Sequence, residues 1–546
     1  MRARPASQYK DAVEASHASA AKVWLTAFVL VAALSAAPVA ADTPRSVLVM
    51  AKALDDLITL DPAEAFEFTG IEILANIYDR PFDPNPETPA EPKGNLVESW
   101  RRADDGLRYS FTLRGDARFH SGAPVTAADA VFSLRRVIKL NKTPAFILTQ
   151  FGLTPDNVDA RVRAVDARTF TFVTDRAYAP SLVLNALSAG VASVVDRGQV
   201  LAHERDGDLG HAWLRTHAAG SGAFSLRDWQ PGEHLILDAF ADYVGGPAPL
   251  KRVIIRDIRE PATQRLLLTR GDIDIARNLA PDQIAALADV ESLITWSEPR
   301  ARIFYLGLNQ RHPILAKPKV REALRYLIDY QGVARTLLAG RAIVHQSFLP
   351  RGFLGALDET PYALDVDRAR ALLAEAGHGD GFTVAMDTRS DPLTMLLAQA
   401  IQATMARAGV AIEIIPGTGK QTLTKYRARR HDIYIGQWGP DYLDPHTNAA
   451  AFARNPDNGD DAVDRTLAWR NGWYIPELTA MTDAAVLEPD PTRRAALYRQ
   501  LQRRVQADSP FVILFQEKTL VAARRGVKGF STGLTSDQTL YRNVSK

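Results

Sequence analysis

Three short stretches of the chain carry residue types that could do chemistry. Gly529-Phe530-Ser531-Thr532-Gly533 has the Gly-x-Ser-x-Gly spacing of a nucleophilic serine. That chemistry needs an acid and then a histidine later in the chain. The last histidine is His446, upstream of Ser531, so the stretch reads as a glycine-bounded loop. Gly417-Thr418-Gly419-Lys420 matches part of a phosphate-binding loop. A full one has a glycine five residues before its second glycine and Ser or Thr after the lysine; Ile414 and Gln421 stand there instead, and a solvated turn is expected. Asp441, Asp444 and His446 suggest hard-metal ligands, but oxygen ligation recruits more groups at a defined loop spacing. Pro445 marks a turn, and no metal or other cofactor is expected. The eleven histidines include no His-Glu-x-x-His and no pair four residues apart. Cysteine is absent, which excludes disulfides, thiolate metal sites, thiol nucleophiles and a lipid anchor on an N-terminal cysteine. No catalytic residue is assigned.

The bulk composition agrees with a binding or structural role. Of 546 residues, 46% are hydrophobic and 23% charged, ordinary for a globular protein of two to four domain-sized units. Formal net charge is +2, with both signs interspersed, so nothing points to nucleic acid. The N-terminus is different. Arg2, Arg4, Lys10 and Lys22 precede an apolar run from Val23 to Ala37, and Val39-Ala40-Ala41 offers a cleavage site before Asp42. Residues 1–41 therefore read as a secretory signal peptide, since fifteen apolar residues fall short of the roughly 20 that span a bilayer. An exported, soluble mature protein is expected.

The elements that would position any site can be read from periodicity. Ser46 to Ala51 is a short buried strand, and Ile71, Leu74, Ala75 and Tyr78 have helical spacing. Residues 83–95 are rich in proline and read as an irregular connection. Arg108 to Leu113 alternates with period two. Thr126-Ala127-Ala128-Asp129 predicts a capping box opening a helix through Leu140. Strands are expected at 224–229, 234–239, 253–258 and 273–275, and a helix over 261–270 that stops on Gly271. Beyond Arg302, strands alternate with helices at 320–327, 365–376 and 395–408, the mark of mixed α/β layers.

Five segments carry a resemblance. They are Leu60-Asp61-Pro62 with Ala75-Asn76-Ile77-Tyr78-Asp79; Phe119 to Ser133 (FHSGAPVTAADAVFS); Gly220-Ser221-Gly222-Ala223-Phe224 with Tyr243; Leu306-Gly307-Leu308-Asn309 with Val320 to Leu324 and Ile328-Asp329; and Trp438 to Pro445 (WGPDYLDP). In this order they resemble the family 5 extracellular solute-binding proteins, which include oligopeptide-, dipeptide- and nickel-binding proteins. The resemblance implies a two-lobed periplasmic binding protein fold, α/β, with strands crossing the hinge and an extra domain on the first lobe. By similarity, 42–82, 215–303 and 515–546 form a discontinuous first lobe, 83–214 the extra domain and 304–514 the second lobe.

It also implies a function. The expected protein is the periplasmic component of an ABC transporter, capturing short peptides or peptide-like amino compounds and passing them to permease subunits. A nickel complex, an opine or an oligosaccharide is the alternative solute, and a periplasmic hydrolase a remoter one. A monomer is expected. Asp441 matches the aspartate that pairs with a peptide's α-ammonium in peptide-binding members, and Trp438, with Tyr442 beside it, matches an aromatic lining of the cleft. Phe66, Glu67 and Phe68 follow Asp61-Pro62 where such relatives approach the ligand. Arg351 is a candidate for a ligand carboxylate on chemistry alone, because the wording around it departs from the family's.

Overall fold

The computed structural model describes residues 43–546, and the signal assigned to 1–41 lies outside them. The molecule is built on an eleven-stranded mixed sheet, a separate four-stranded antiparallel sheet and helices packed on both. Two long antiparallel strands, Leu293–Leu308 and Phe511–Arg524, hold the large sheet together. At one end they continue into Ile275–Ala276, Val47–Lys52, Arg252–Asp257, His234–Ala239 and Phe224–Gln230. At the other they continue into Ile433–Trp438, Phe382–Arg389 and Val410–Gly417. The first set covers one hydrophobic core that includes Leu48, Met50, Leu235, Val253 and Ile255. The second covers another, with Leu306, Leu308, Met386, Val410 and Ile433. The two lobes thus share these strands, and the pairing slips register between Pro299 and Ile303.

The four-stranded sheet, Val97–Arg102, Arg108–Leu113, Thr169–Val173 and Val162–Ala164, forms the heart of the extra domain. The period-two alternation of Arg108–Leu113 points Tyr109, Phe111 and Leu113 inward. They meet Leu134, Val137 and Ile138 of the helix Ala127–Leu140. That helix opens with the predicted capping box: the Thr126 N–H donates to Asp129 Oδ2 at 2.9 Å.

The structure departs from the sequence reading in two places. Residues 83–95 are not wholly irregular, since Phe82–Asp83 and Lys93–Gly94 pair as a two-stranded ladder. Thr418 is not in a plain turn. It caps the helix Gly419–Arg427 through a reciprocal bond with Gln421, which explains the Gly-Thr-Gly-Lys spacing without a phosphate. The extra domain packs on the first lobe as expected and also makes contact beyond it. Arg136 reaches Asp61 of the first lobe, but Tyr442 and Val486 of the second lobe complete the extra domain's own core.

Candidate ligand-binding site

The site begins where a buried strand ends. Ile433 to Gly436 are buried between neighbouring strands, and Gly439-Pro440 then breaks the ladder. The chain turns through 439–445 before the helix His446–Phe452. Asp444 pins this turn. Its carboxylate accepts a two-pronged pair of bonds from Arg494, at 2.6 and 2.8 Å, and a third from the His446 N–H at 2.9 Å. Arg494 also donates to Ser181 Oγ in the extra domain at 2.8 Å. With both partners fully buried, Asp444 is committed to this ion pair and is not a free metal ligand. Nor, among the described residues, is any group of three acidic, histidine or cysteine side chains placed to hold a metal.

Asp441 points into a cavity of about 950 Å³. Its carboxylate is half-buried and accepts one bond, from the Thr447 hydroxyl at 3.2 Å. Burial pushes its pKa up to about 7, with only that hydroxyl opposing. His446, on the same wall, is pushed down to about 4 by burial and is neutral, so it supplies no countercharge. The site therefore presents one acid that no cation of the described residues neutralises.

The opposite wall comes from the loop before the helix Phe68–Ile77. That loop is fixed by Asp61, which is fully buried and takes both Arg136 Nη atoms at 2.6 Å, with His211 Nδ1 at 2.8 Å. Burial alone would raise the Asp61 carboxyl, but the hydrogen bonds from Arg136 and His211 hold it below the ordinary carboxylate value. Phe66 meets Phe146 edge-on at 5.8 Å, and Phe68 lies 4.1 Å beneath the Arg302 guanidinium. Both rings share the cavity wall with Gly439, Pro440 and Asp441.

Of the residues predicted for the site, Asp441, Trp438, Tyr442, Phe66 and Phe68 meet around this cavity. Trp438 serves two ends, lining it while its Nε1 donates to Asn448 at 3.2 Å and its ring abuts Phe452. Tyr442 contributes mainly as a plug: it is buried in the extra domain's core and its hydroxyl donates to Gln150 at 3.2 Å. Glu67 and Arg351 are not brought in. The Glu67 carboxylate turns back to accept the Phe66 N–H at 3.3 Å. Arg351 pairs with Asp358 at 2.8 Å, away from the cavity wall. Ser531, from the serine-like stretch, donates to Glu298 at 3.0 Å in a surface loop.

Sequence reasoning missed the far wall, where Arg389, Arg427 and Arg470 face the cavity beside Tyr434 and Tyr305. Each ends an element: the strand Phe382–Arg389 or the helices Gly419–Arg427 and Leu467–Arg470. Arginine at a helix C-terminus has a local explanation in the helix dipole, so nothing in the sequence marked these three as a group.

Residues 91–460 match the model of the bacterial extracellular solute-binding proteins, family 5. The chain belongs to this family. The probable D,D-dipeptide-binding periplasmic protein DdpA of Escherichia coli K12 is 30% identical over 500 residues, covering 90% of this chain and 93% of that protein. The glutathione-binding protein GsiB of Salmonella typhimurium is 25% identical over 530 residues, 94% of this chain and 98% of its own length. The periplasmic binding protein DppA of Helicobacter pylori, solved with the peptide STSA, superposes with a TM-score of 0.74 at 24% identity, covering 91% of this chain and 98% of that one. As a family 5 protein, the chain is a solute-binding protein with the two-lobed fold, and no helix of its described residues is long and apolar enough to cross a membrane.

Proposed function

We propose that this protein is an exported receptor that captures short peptides or peptide-like amino compounds between its lobes and delivers them to the permease of an ABC importer. The observation that carries the reading is Asp441: a carboxylate drawn out of water at the wall of a cavity, with no cation of its own. An α-ammonium supplies the missing charge. Two phenylalanines and Trp438 around it exclude water, which strengthens the pair. A cavity of about 950 Å³ falls at the upper end of the usual range for ligand sites and suits a short peptide. The names of the dipeptide- and glutathione-binding relatives, and the peptide in the Helicobacter neighbour, favour the same class.

In this reading the lobes divide at 303/304 and 514/515, close to the register slip, and the protein works as a monomer in the periplasm without turning its ligand over. The test is calorimetric titration of the mature protein with a small peptide panel, each peptide also supplied N-acetylated. Free-amine peptides should bind and be recovered intact. Asp441→Ala should cost about 2–5 kcal/mol of that binding, since it leaves an ammonium buried without a partner. Acetylated peptides that bind as well as free ones, or an unchanged affinity in the variant, would remove the ammonium from the account.

A further inference from the structure

Six arginines face the cavity, against three aspartates. The excess persists once each charge is followed to its partner. Arg454 is held by two carboxylates, Asp464 at 2.6 Å and Asp483 at 2.7 Å. Arg465 is tied to the Ala462 and Asp460 carbonyls and lies over the Trp469 ring at 5.3 Å. Arg176 bonds the Tyr178 hydroxyl. Arg389, Arg427 and Arg470 likewise form no ion pair among the described residues; Arg389 bonds only the Tyr434 phenol. Of the two acids nearest Arg389 in sequence, Asp387 is occupied by Lys425 at 2.8 Å and Asp391 caps the helix Pro392–Ala406 through the Thr394 N–H.

These three act as one group. Arg427 feels the charge of Arg470, and the buried phenol of Tyr434 feels all three guanidinium groups. Arg470 is half-buried, stacked 5.6 Å over Tyr426, and its Nε is buried with no hydrogen-bond partner. Three like charges gathered at the wall of one cavity repel, and a buried guanidinium N–H without an acceptor costs free energy. An unfavourable cluster of this kind on a binding wall is accounted for by an anion that arrives with the ligand. One ligand carboxylate can satisfy one guanidinium fork well. Three arginines with no carboxylate partner call for more than one.

We propose that the favoured ligand carries two carboxylates at the end remote from its ammonium: a peptide whose C-terminal residue is acidic, with its C-terminal carboxylate and side-chain carboxylate shared among Arg389, Arg427 and Arg470. This rests on the peptide reading above and narrows it to a class. Asp441 takes the cationic end and the arginines take a doubly anionic one, so the ligand as a whole is acidic.

The isosteric pair Ala-Ala-Glu and Ala-Ala-Gln tests it by calorimetry on the mature protein at low ionic strength. Ala-Ala-Glu should bind about tenfold more tightly, as expected for a hydrogen-bonded charge pair, and the preference should shrink as salt is added, because Arg389 and Arg427 are exposed. In the double variant Arg389→Gln, Arg427→Gln the two peptides should bind within about twofold of each other. Both replacements are of exposed side chains, and an unchanged Tm would show the fold intact. Equal affinity for the two peptides in the parent protein, or a glutamate preference that survives in the double variant, overturns the proposal. If both peptides bind equally and Asp441→Asn weakens both, the ammonium reading stands and this one falls. If neither binds, both fall together.

Discussion

Asp441 makes the most direct demand on experiment at the scale of a single residue. With its pKa pushed up to about 7 in the empty protein by burial, it must lose a proton before it can pair with an ammonium. Affinity for free-amine ligands should therefore fall as pH drops below about 7, by up to about tenfold per pH unit, and binding near neutrality should release protons to the buffer. Stability runs the other way. The folded empty protein binds this proton more tightly than the unfolded chain does, so the group favours folding increasingly as pH falls from about 7 towards its ordinary value. Titrations at pH 5.5 and 7.5, set beside melts of the unliganded protein, check both signs, and Asp441→Asn should abolish both dependences. This residue was legible because a short, ordered motif, Trp438 to Pro445, carries it. The arginines on the far wall were not. Each comes from a different element and has a sufficient local reason to be where it is, so only folding shows that they converge. Arg351 was proposed from the chemistry of its side chain alone, and Asp358, seven residues on, has claimed it.

At the scale of elements, the loop carrying Phe66 and Phe68 is only as well placed as its anchor. Asp61 sits at the centre of that anchor, taking Arg136 from the extra domain's long helix and the Ala63 N–H at 2.9 Å from its own loop. Asp61→Ala leaves a guanidinium buried without its carboxylate and should cost about 3–5 kcal/mol of stability. Denaturant unfolding measures it, and a loss below about 1 kcal/mol would mean that water reaches Arg136. Arg494→Met, at the other lobe's anchor, should be comparably damaging because it orphans Asp444. Helices and strands with clear periodicity were readable: 108–113, the capped helix from Thr126 and the helix ending on Gly271 all lie where expected. The miss over 83–95 has a physical cause. A ladder of two residues per strand is fixed by what packs around it and leaves too short a pattern to be seen in sequence.

For the whole molecule, two strands shared between lobes form the hinge, and on the proposed reading a ligand held by both lobes stabilises the closed form. Ligand at about 100 times its Kd should add about 2.7 kcal/mol to stability. Thermal melts with and without ligand measure this gain; its absence at saturation would mean that the unfolded chain binds equally. The alternation of strand and helix told the fold class, and the five segments told the family. What could not be read was how closely the lobes meet, because that depends on which side chains cross the gap. Tyr442 and Val486 do so, completing an interior that belongs to the extra domain. On the proposed reading, parting of the lobes to admit a ligand would withdraw those two side chains and open a greasy socket to water. An unloaded receptor should therefore light up an apolar dye such as ANS and go dark when its cargo arrives, a signal that needs no label and serves for any cargo.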